Sequence, residues 1–305
     1  MIQDLGSHKL DNRYSPERLP QTDDAVISYM GGKILIRVLD EARKLTFPTV
    51  AEYDGAAGYD EAVRDAEAKE HISSADYIKR NRPAETEELI YLFSVDRRAF
   101  FLTLTQIDLP GYSYMSLRDI RAIALEPQEY VFAAFTAVHL GEWYRRKRYC
   151  GACGASLSPD SRERAMRCSS CGEVFYPRIN PAVIVGVIDH GRLLITRYLR
   201  GYGHNALVAG FAEIGETLEE TVAREVMEET GLRVKNIRYY KSQPWGIASD
   251  LLTGFFCDVD GDTQVKLDGQ ELKSAIWTLR EEITWQPPEY SLTADMMKAF
   301  HEGWT

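Results

Sequence analysis

The sequence predicts an α/β (α+β) protein in three parts: a mixed α/β region over 1–145, a small cysteine-rich module over 146–177 and a second mixed α/β domain over 178–305. Three observations lead there. Short β-branched and aromatic runs alternate with segments of helical spacing on both sides of residue 150. Four of the five cysteines are gathered in two C-x-x-C pairs between 150 and 171. The length of 305 residues suits two domains, or two plus a module too small for a core of its own.

In chain order, the first 145 residues begin with a polar stretch that contains Pro and Asp. Residues 89–104 read as two strands meeting at the Asp96-Arg97-Arg98 turn. From Pro127 to Lys147, Val131, Phe135, Val138, Leu140 and Trp143 fall at helical spacing, which predicts one helix running into the first cysteine pair. Beyond the module, residues 182–189 and 192–199 predict a hairpin across His190-Gly191. A helix follows from about Thr217 to Thr230, stopped by Gly231. Strand-like runs at 234–241, 251–259 and 273–279 precede a C-terminal helix from Ser291.

The balance is acidic, with a formal net charge of -10. A polyanion therefore meets no attraction from the molecule as a whole and must be held by local cations or by metal. That favours a small phosphorylated ligand over long RNA, although a capped RNA end is compatible with it. No apolar run approaches 18 residues and no leader is visible, so the expectation is a cytoplasmic chain with no membrane contact. Cysteine usage agrees: two ligand pairs and a lone Cys257 in an apolar run fit a reducing compartment.

Cys150, Cys153, Cys168 and Cys171 form C-x2-C-x14-C-x2-C. Each C-x-x-C turn sets two thiolates on one side of a tetrahedral ion, so one structural Zn2+ per chain is expected. A closed set of four thiolates leaves no position for a reactive water, so catalysis by this zinc is not. Gly151, Gly154 and Gly172 stand where the knuckle turns call for positive φ. Arg145, Arg146, Lys147 and Arg148 precede the module; they are either a solvated face or a nucleic-acid contact.

The segment 210–232 concentrates acidic chemistry. Glu225, Glu228 and Glu229 stand at i, i+3 and i+4, so they leave one side of a helix. Like charges so close are destabilising unless cations lie among them, and Mg2+ or Mn2+ answers with oxygen coordination. Arg224 is placed to orient a neighbouring carboxylate, and Glu216 reaches the same region across a turn that Gly210 and Gly215 allow. The alternative is that the Glu-rich helix is only a solvated face.

The run from Gly210 through Glu216 to Arg224-Glu225-Val226-Met227-Glu228-Glu229-Thr230-Gly231-Leu232 resembles the Nudix box, G-x5-E-x7-R-E-U-x-E-E-x-G-U, at every fixed position. The resemblance implies an α/β/α sandwich and hydrolysis of a nucleoside diphosphate linked to another moiety. It implies that Glu225 and Glu229 ligate the catalytic ions with Glu228 and Glu216 nearby, Glu229 also taking the water's proton. A four-cysteine ribbon ahead of the box and Ser242-Gln243-Pro244-Trp245 behind it resemble the NADH pyrophosphatase subfamily.

That narrower resemblance implies cleavage of NAD(H) to NMN(H) and AMP by a homodimer. Phe211 resembles the aromatic that stacks on nicotinamide, and Tyr176 one that reaches the partner subunit's site. Glu271 and the Ala209 carbonyl resemble metal contacts outside the box. Gln243, Pro244, Trp245, Ser249, Glu163, Arg121 and Thr293 resemble substrate contacts, with Trp245 as packing beneath the substrate loop. The chain departs from the familiar Pro-Phe-Pro continuation, having Gly246-Ile247-Ala248 before Ser249, which predicts a less rigid loop. Removal of the NAD cap from RNA, wider dinucleotide hydrolysis and a non-catalytic NAD or ADP-ribose sensor are the competing expectations.

Overall fold

A computed structural model describes residues 1–39, 43–56, 89–201, 203–267, 269–285 and 290–304. The chain divides into two compact units, Leu5–Arg178 and Ile179–Thr305, with Met1–Asp4 belonging to the second. The ribbon residues fall in the first unit.

The first unit is built on one sheet. Its strands are β1 (Leu10–Asp11), β2 (Ala25–Met30), β3 (Lys33–Leu39), β4 (Lys44–Thr46), β5 (Ile90–Val95), β6 (Arg98–Thr103) and β7 (Ser113–Ser116). The order is β1-β5-β6-β2-β3-β4, with β7 added on β3. The expected hairpin at 96–98 is β5 and β6, turned on Asp96 at φ 53°. Short helices α1 (Val50–Ala56) and α2 (Leu117–Ala122) flank a long α3 (Gln128–Arg146). Val131, Phe135, Val138, Leu140 and Trp143 are all buried, as their spacing predicts. Gly141 is needed there, because a Cβ would stand 2.9 Å from Tyr29 Cγ.

The ribbon consists of β8 (Leu157–Pro159), β9 (Met166–Cys168) and β10 (Val174–Phe175), antiparallel in the order β10-β9-β8. Three strands of two or three residues cannot bury a core. Arg164 reaches from the ribbon to the Leu92 carbonyl at 2.5 Å, and the Tyr14 hydroxyl donates to the Asp160 carbonyl at 2.7 Å. These bonds tie the ribbon to the sheet of its own unit.

The second unit has β11 (Asn180–Asp189), β12 (Arg192–Tyr198), β13 (Val208–Phe211), β14 (Val234–Trp245), β15 (Asp250–Val259) and β16 (Leu272–Leu279), ordered β14-β15-β11-β12-β16 with β13 on β11. The hairpin of β11 and β12 turns at His190 and Gly191, φ 43° and 84°. Two helices serve opposite faces: α4 (Leu218–Thr230) and α5 (Leu292–His301). Period-two alternation along β11 explains this. Val183, Val185 and Val187 pack with Val222 and Val226 of α4, whereas Ile184 and Ile188 pack with Leu292, Met296 and Phe300 of α5. A strand apolar on both faces sits at the centre, and the sandwich expected of the second domain follows.

Among the described residues, no helix is long and apolar enough to cross a membrane.

Gly186 marks the tightest point of this core, since a Cβ there would lie 2.6 Å from two atoms of the Phe256 ring. Neither can retreat, because Phe256 is fully buried. Gly186→Ala is therefore expected to destabilise the second unit by about 1–3 kcal/mol. Denaturant unfolding would measure it, and an unchanged midpoint would refute the packing described.

Candidate active site and zinc centre

The four cysteine sulfurs all lie within 4.8 Å of one another. Cys150 and Cys171 are 3.6 Å apart, Cys153 and Cys168 3.5 Å. Thiolates about 2.3 Å from a tetrahedral zinc stand about 3.8 Å apart, so the residues fit the ion. Each pair sits on a knuckle: Gly154 N–H donates to the Cys150 carbonyl at 2.9 Å and Gly172 N–H to the Cys168 carbonyl at 3.0 Å. Gly154 and Gly172 have φ of 77° and 79° as expected; Gly151, also expected there, does not have positive φ. Backbone N–H groups of Cys171 and Ser170 lower the Cys168 thiol, while the neighbouring sulfurs raise that of Cys171 against the pull of Glu173 N–H, so these thiols titrate together.

The acidic site is organised by α4. Thr217 caps the helix by accepting from Glu220 N–H, and the Glu220 side chain returns the bond to Thr217 N–H. Gly231, at φ 70°, closes it. Between these ends Val222, Val226 and Thr230 face inward. Glu229 lies on that same stripe, only 2% exposed. Glu225 is half-buried at the flank, and Glu228 points outward with 59% of its side chain exposed. The three glutamates share a side of the helix, but at graded depths.

Arg224 joins them. Its Nε donates to Glu216 Oε1 at 2.6 Å, and one Nη to Glu225 at 2.8 Å and Glu228 at 3.0 Å. The other Nη reaches Glu216 Oε2 and the Phe211 carbonyl, both at 2.9 Å. Glu216 receives two further bonds, from Glu213 N–H and the Thr221 hydroxyl, each 3.0 Å. The guanidinium beside it, with these bonds, holds the Glu216 carboxyl down at about 2. Glu225 goes the other way: burial raises it, and Glu228 and Glu271 add to the rise against the pull of Arg224.

Gly210 on β13 explains how Glu225 fits, because a Cβ there would be 1.9 Å from the Glu225 carboxyl carbon. The carboxylate lies directly on the strand that also carries Ala209 and Phe211. Glu271 precedes β16, its carbonyl accepting from Leu199 N–H at 2.9 Å. Next to it on β12 is Tyr198, whose hydroxyl is pushed well above the ordinary range by burial and then by the fields of Glu229, Glu271 and Glu225. Glu229, Glu271 and Glu225 thus all act on the one buried hydroxyl of Tyr198. Among the described residues no three carboxylates are grouped as closely as the four cysteines.

The remaining expected residues divide. Phe211 is 54% exposed at the end of β13, open for stacking. Tyr176 is 59% exposed, and its hydroxyl donates to Glu163 at 2.5 Å, so these two residues are brought together. Arg121 lies on α2 and belongs with them to the first unit. Gln243, in contrast, is completely buried and spends its amide inside the protein. It donates to Gln3 Oε1 and the Tyr290 carbonyl, at 3.0 and 2.7 Å, and accepts from Leu292 N–H at 2.7 Å. Pro244 is exposed, Trp245 and Ser249 half-buried, and Thr293 half-buried in the first turn of α5.

Residues 246–249 form the turn between β14 and β15. Asn180 grips this turn: its N–H donates to the Ser249 carbonyl at 2.9 Å, and its amide to the Ala248 carbonyl at 3.1 Å and Asp250 at 3.2 Å. That grip opposes the loosening expected from Gly246-Ile247-Ala248. Asn180, Thr221 and Tyr198 were not singled out from the sequence, where nothing distinguishes them from ordinary strand and helix residues.

Residues 178–300 match the family model described as NUDIX domain, and 145–176 the one described as NADH pyrophosphatase zinc ribbon domain. Among curated proteins, the chain is similar to the NAD-capped RNA hydrolase NudC of Salmonella heidelberg (strain SL476), 43% identical over 50% of this chain and 59% of the relative. It is 44% identical to the protein of the same name from Enterobacter sp. (strain 638), over 50% of this chain and 58% of that one. The chain thus spans under two thirds of the length of these relatives. Among solved structures it resembles a NUDIX hydrolase from Nitrosomonas europaea, 23% identical over 52% of this chain and 94% of that one, with a TM-score of 0.45.

Cys257 tests the ribbon from outside it. It is fully buried, and burial raises its thiol to about 12. One zinc per chain is expected by metal analysis. Chelation should release four thiols to alkylation while Cys257 stays unlabelled until the chain is unfolded. Five reactive thiols on chelation alone would contradict the buried position.

Proposed function

We propose that this protein is a metal-dependent hydrolase that cleaves the diphosphate of NAD(H) to NMN(H) and AMP, because residues 178–300 match the NUDIX domain and 145–176 the NADH pyrophosphatase zinc ribbon domain. The observation that carries the reading is the close approach of the Glu225 carboxylate to β13, which only glycine at 210 admits, with the fields of Glu229 and Glu271 reaching the same buried Tyr198 hydroxyl. Oxygen donors alone, one of them deep on an apolar stripe, suit a hard divalent ion, Mg2+ or Mn2+. Such ions, when bound, neutralise the diphosphate and lower the pKa of a water that attacks one phosphorus.

The chain's own residues supply the rest. Glu225, Glu229, Glu271 and the Ala209 carbonyl hold the ions; Arg224 and Glu216 fix Glu225 in place. Glu229 accepts the proton of the attacking water, whose oxygen bonds to phosphorus as the bridging P–O bond breaks and its electrons leave with the other phosphate. Phe211 stacks on the nicotinamide ring, a use that its exposure permits. Gln243 acts by bracing the strand that presents Pro244, Trp245 and Ser249. Glu163, Tyr176, Arg121 and Thr293 complete the substrate contacts. The exposed aromatics Tyr149 and Tyr176, 67% and 59%, favour a homodimer in which the ribbon meets a second copy. A cytoplasmic setting suits its thiolates.

A second reading is supported by the relatives, which are named for hydrolysis of NAD-capped RNA. The basic stretch at 145–148 is only partly neutralised within the chain. Arg145 and Arg146 are both paired with Glu142, and Lys147 stands 5.0 Å from the Phe175 ring centre.

With Mg2+ or Mn2+ present, AMP and NMNH should appear from NADH, and Glu229→Gln should lower kcat by at least 100-fold, consistent with loss of both a ligand and a base. Product analysis decides it; binding without cleavage would favour a sensor. Gly210→Ala tests the cradle separately. It should raise the metal concentration needed for half activity about tenfold or more, without lowering the unfolding midpoint of the ribbon.

A further inference from the structure

The first four residues, Met1–Asp4, fold as part of the second unit. Ile2 is fully buried there, and its N–H donates to the Tyr290 carbonyl at 3.2 Å. Met1 packs on the cluster that Leu292, Met296 and Phe300 form with Ile184 and Ile188. These two apolar residues anchor the half-buried Gln3 that follows them. The Gln3 amide donates to the Ser242 carbonyl at 3.0 Å, and its oxygen accepts from Gln243 Nε2, also at 3.0 Å. One side chain thus holds two consecutive residues of β14, an edge strand of the sheet, 239 and 240 positions away in sequence.

Gln243 passes that constraint on. Both N–H donors of its carboxamide and its oxygen are engaged: Nε2 with Gln3 and the Tyr290 carbonyl, Oε1 with Leu292 N–H. The amide therefore has a single orientation, set by Gln3 on one side and by the entry to α5 on the other. Because Gln243 is completely buried, water cannot replace a lost partner, and removing the Gln3 oxygen leaves one of its donors unpaired. Both segments joined at this amide matter to the reaction proposed above. Pro244, Trp245 and Ser249 follow Gln243 along the chain, and Thr293 follows Leu292. Asn180 grips the far end of the 246–249 turn, so Gln243 is the fixed point at its near end.

We propose that Gln3 is a positioning residue for the dinucleotide: by locking the Gln243 amide it keeps the 244–249 turn and the first turn of α5 in one fixed relation, so that the substrate contacts on both are presented together. This rests on the hydrolase reading for what those contacts bind, but the lock itself does not. Gln3 acts through Gln243 and not on the carboxylates of α4, so its loss falls on substrate binding and leaves the chemical step alone.

The experiment uses the full-length zinc-loaded protein with Mg2+ or Mn2+. It compares Gln3→Met, which keeps the length of the side chain and loses both bonds, with Gln243→Met and the double variant. In Gln3→Met the KM for NADH should rise about 3- to 10-fold, while kcat and the metal concentration for half activity stay within about twofold. In the Gln243→Met background the same change should add less than about twofold to KM, because the lock is already lost. An unchanged KM, a loss confined to kcat, or effects of the two substitutions that simply multiply would each overturn the proposal. Hydrogen exchange supplies a readout that needs no turnover: the backbone amides of 245–249 should exchange about fivefold faster or more in Gln3→Met, and equal rates would overturn the lock. Should Gln3→Met not fold, Gln3→Glu decides instead, since it keeps the acceptor for Gln243 and loses only the donor to Ser242. A KM about twofold or more above wild type supports the proposal, and an unchanged KM overturns it. If the wild type does not cleave NADH, the hydrolase reading fails, and the exchange rates still decide the lock.

Discussion

One guanidinium sets the geometry of the acidic site. Arg224 holds Glu216, Glu225 and Glu228 at 2.6–3.0 Å and at the same time donates to the Phe211 carbonyl. Without it, three carboxylates of α4 and its preceding loop would repel one another and lose their fixed relation to β13. With it, helix and strand are cross-linked by charge-assisted bonds, which are stronger than neutral ones and directional. The fixed point matters because the arginine spends its planar fork on groups of two different elements. A lysine would offer one charge and no such geometry.

The scaffold serves that point. The β11 strand is buried on both faces, which fixes β13 beside it and α4 above it. Gly210 then removes the one side chain that would keep Glu225 from the strand. Glu229 follows from helix period: three residues after Val226, it falls on the inward stripe and is carried to depth by the packing of its neighbours. The packing of α4 and the depth of its carboxylates are thus set by the same helix period.

Sequence pattern revealed much of this because the informative features are local. The caps of α4 at Thr217 and Gly231, the hairpin at His190-Gly191, the apolar spacing of α3 and the two cysteine knuckles each depend on residues within a few positions of one another. What stayed hidden depends on distant partners. Nothing near Gln243 in sequence indicates that its amide bonds to Gln3, Tyr290 and Leu292 rather than facing outward. Asn180, 68 residues before the Ala248 carbonyl it grips, is equally silent. The seven-stranded order of the first unit, with β2 parallel to β6 across a long excursion, is likewise a long-range property. Gly151 shows the limit within a motif: adjacency to a cysteine did not make it a left-handed residue.

Charge follows the same division between count and place. A run of four basic residues is conspicuous in sequence, yet Glu142 lies three and four positions before Arg145 and Arg146, where a helix brings them into contact. Arg162 and Arg167 are separated by five positions and look unremarkable, but the strand return between them places both beside Asp160. Since a pair that is already neutralised attracts little, the density of basic residues along the chain is a poor guide to where an anion would settle. The better guide is which cations remain after local carboxylates have taken theirs. By that measure the helix end keeps positive charge, since Arg145 and Arg146 share the single carboxylate of Glu142 and Lys147 and Arg148 make no ion pair among the described residues.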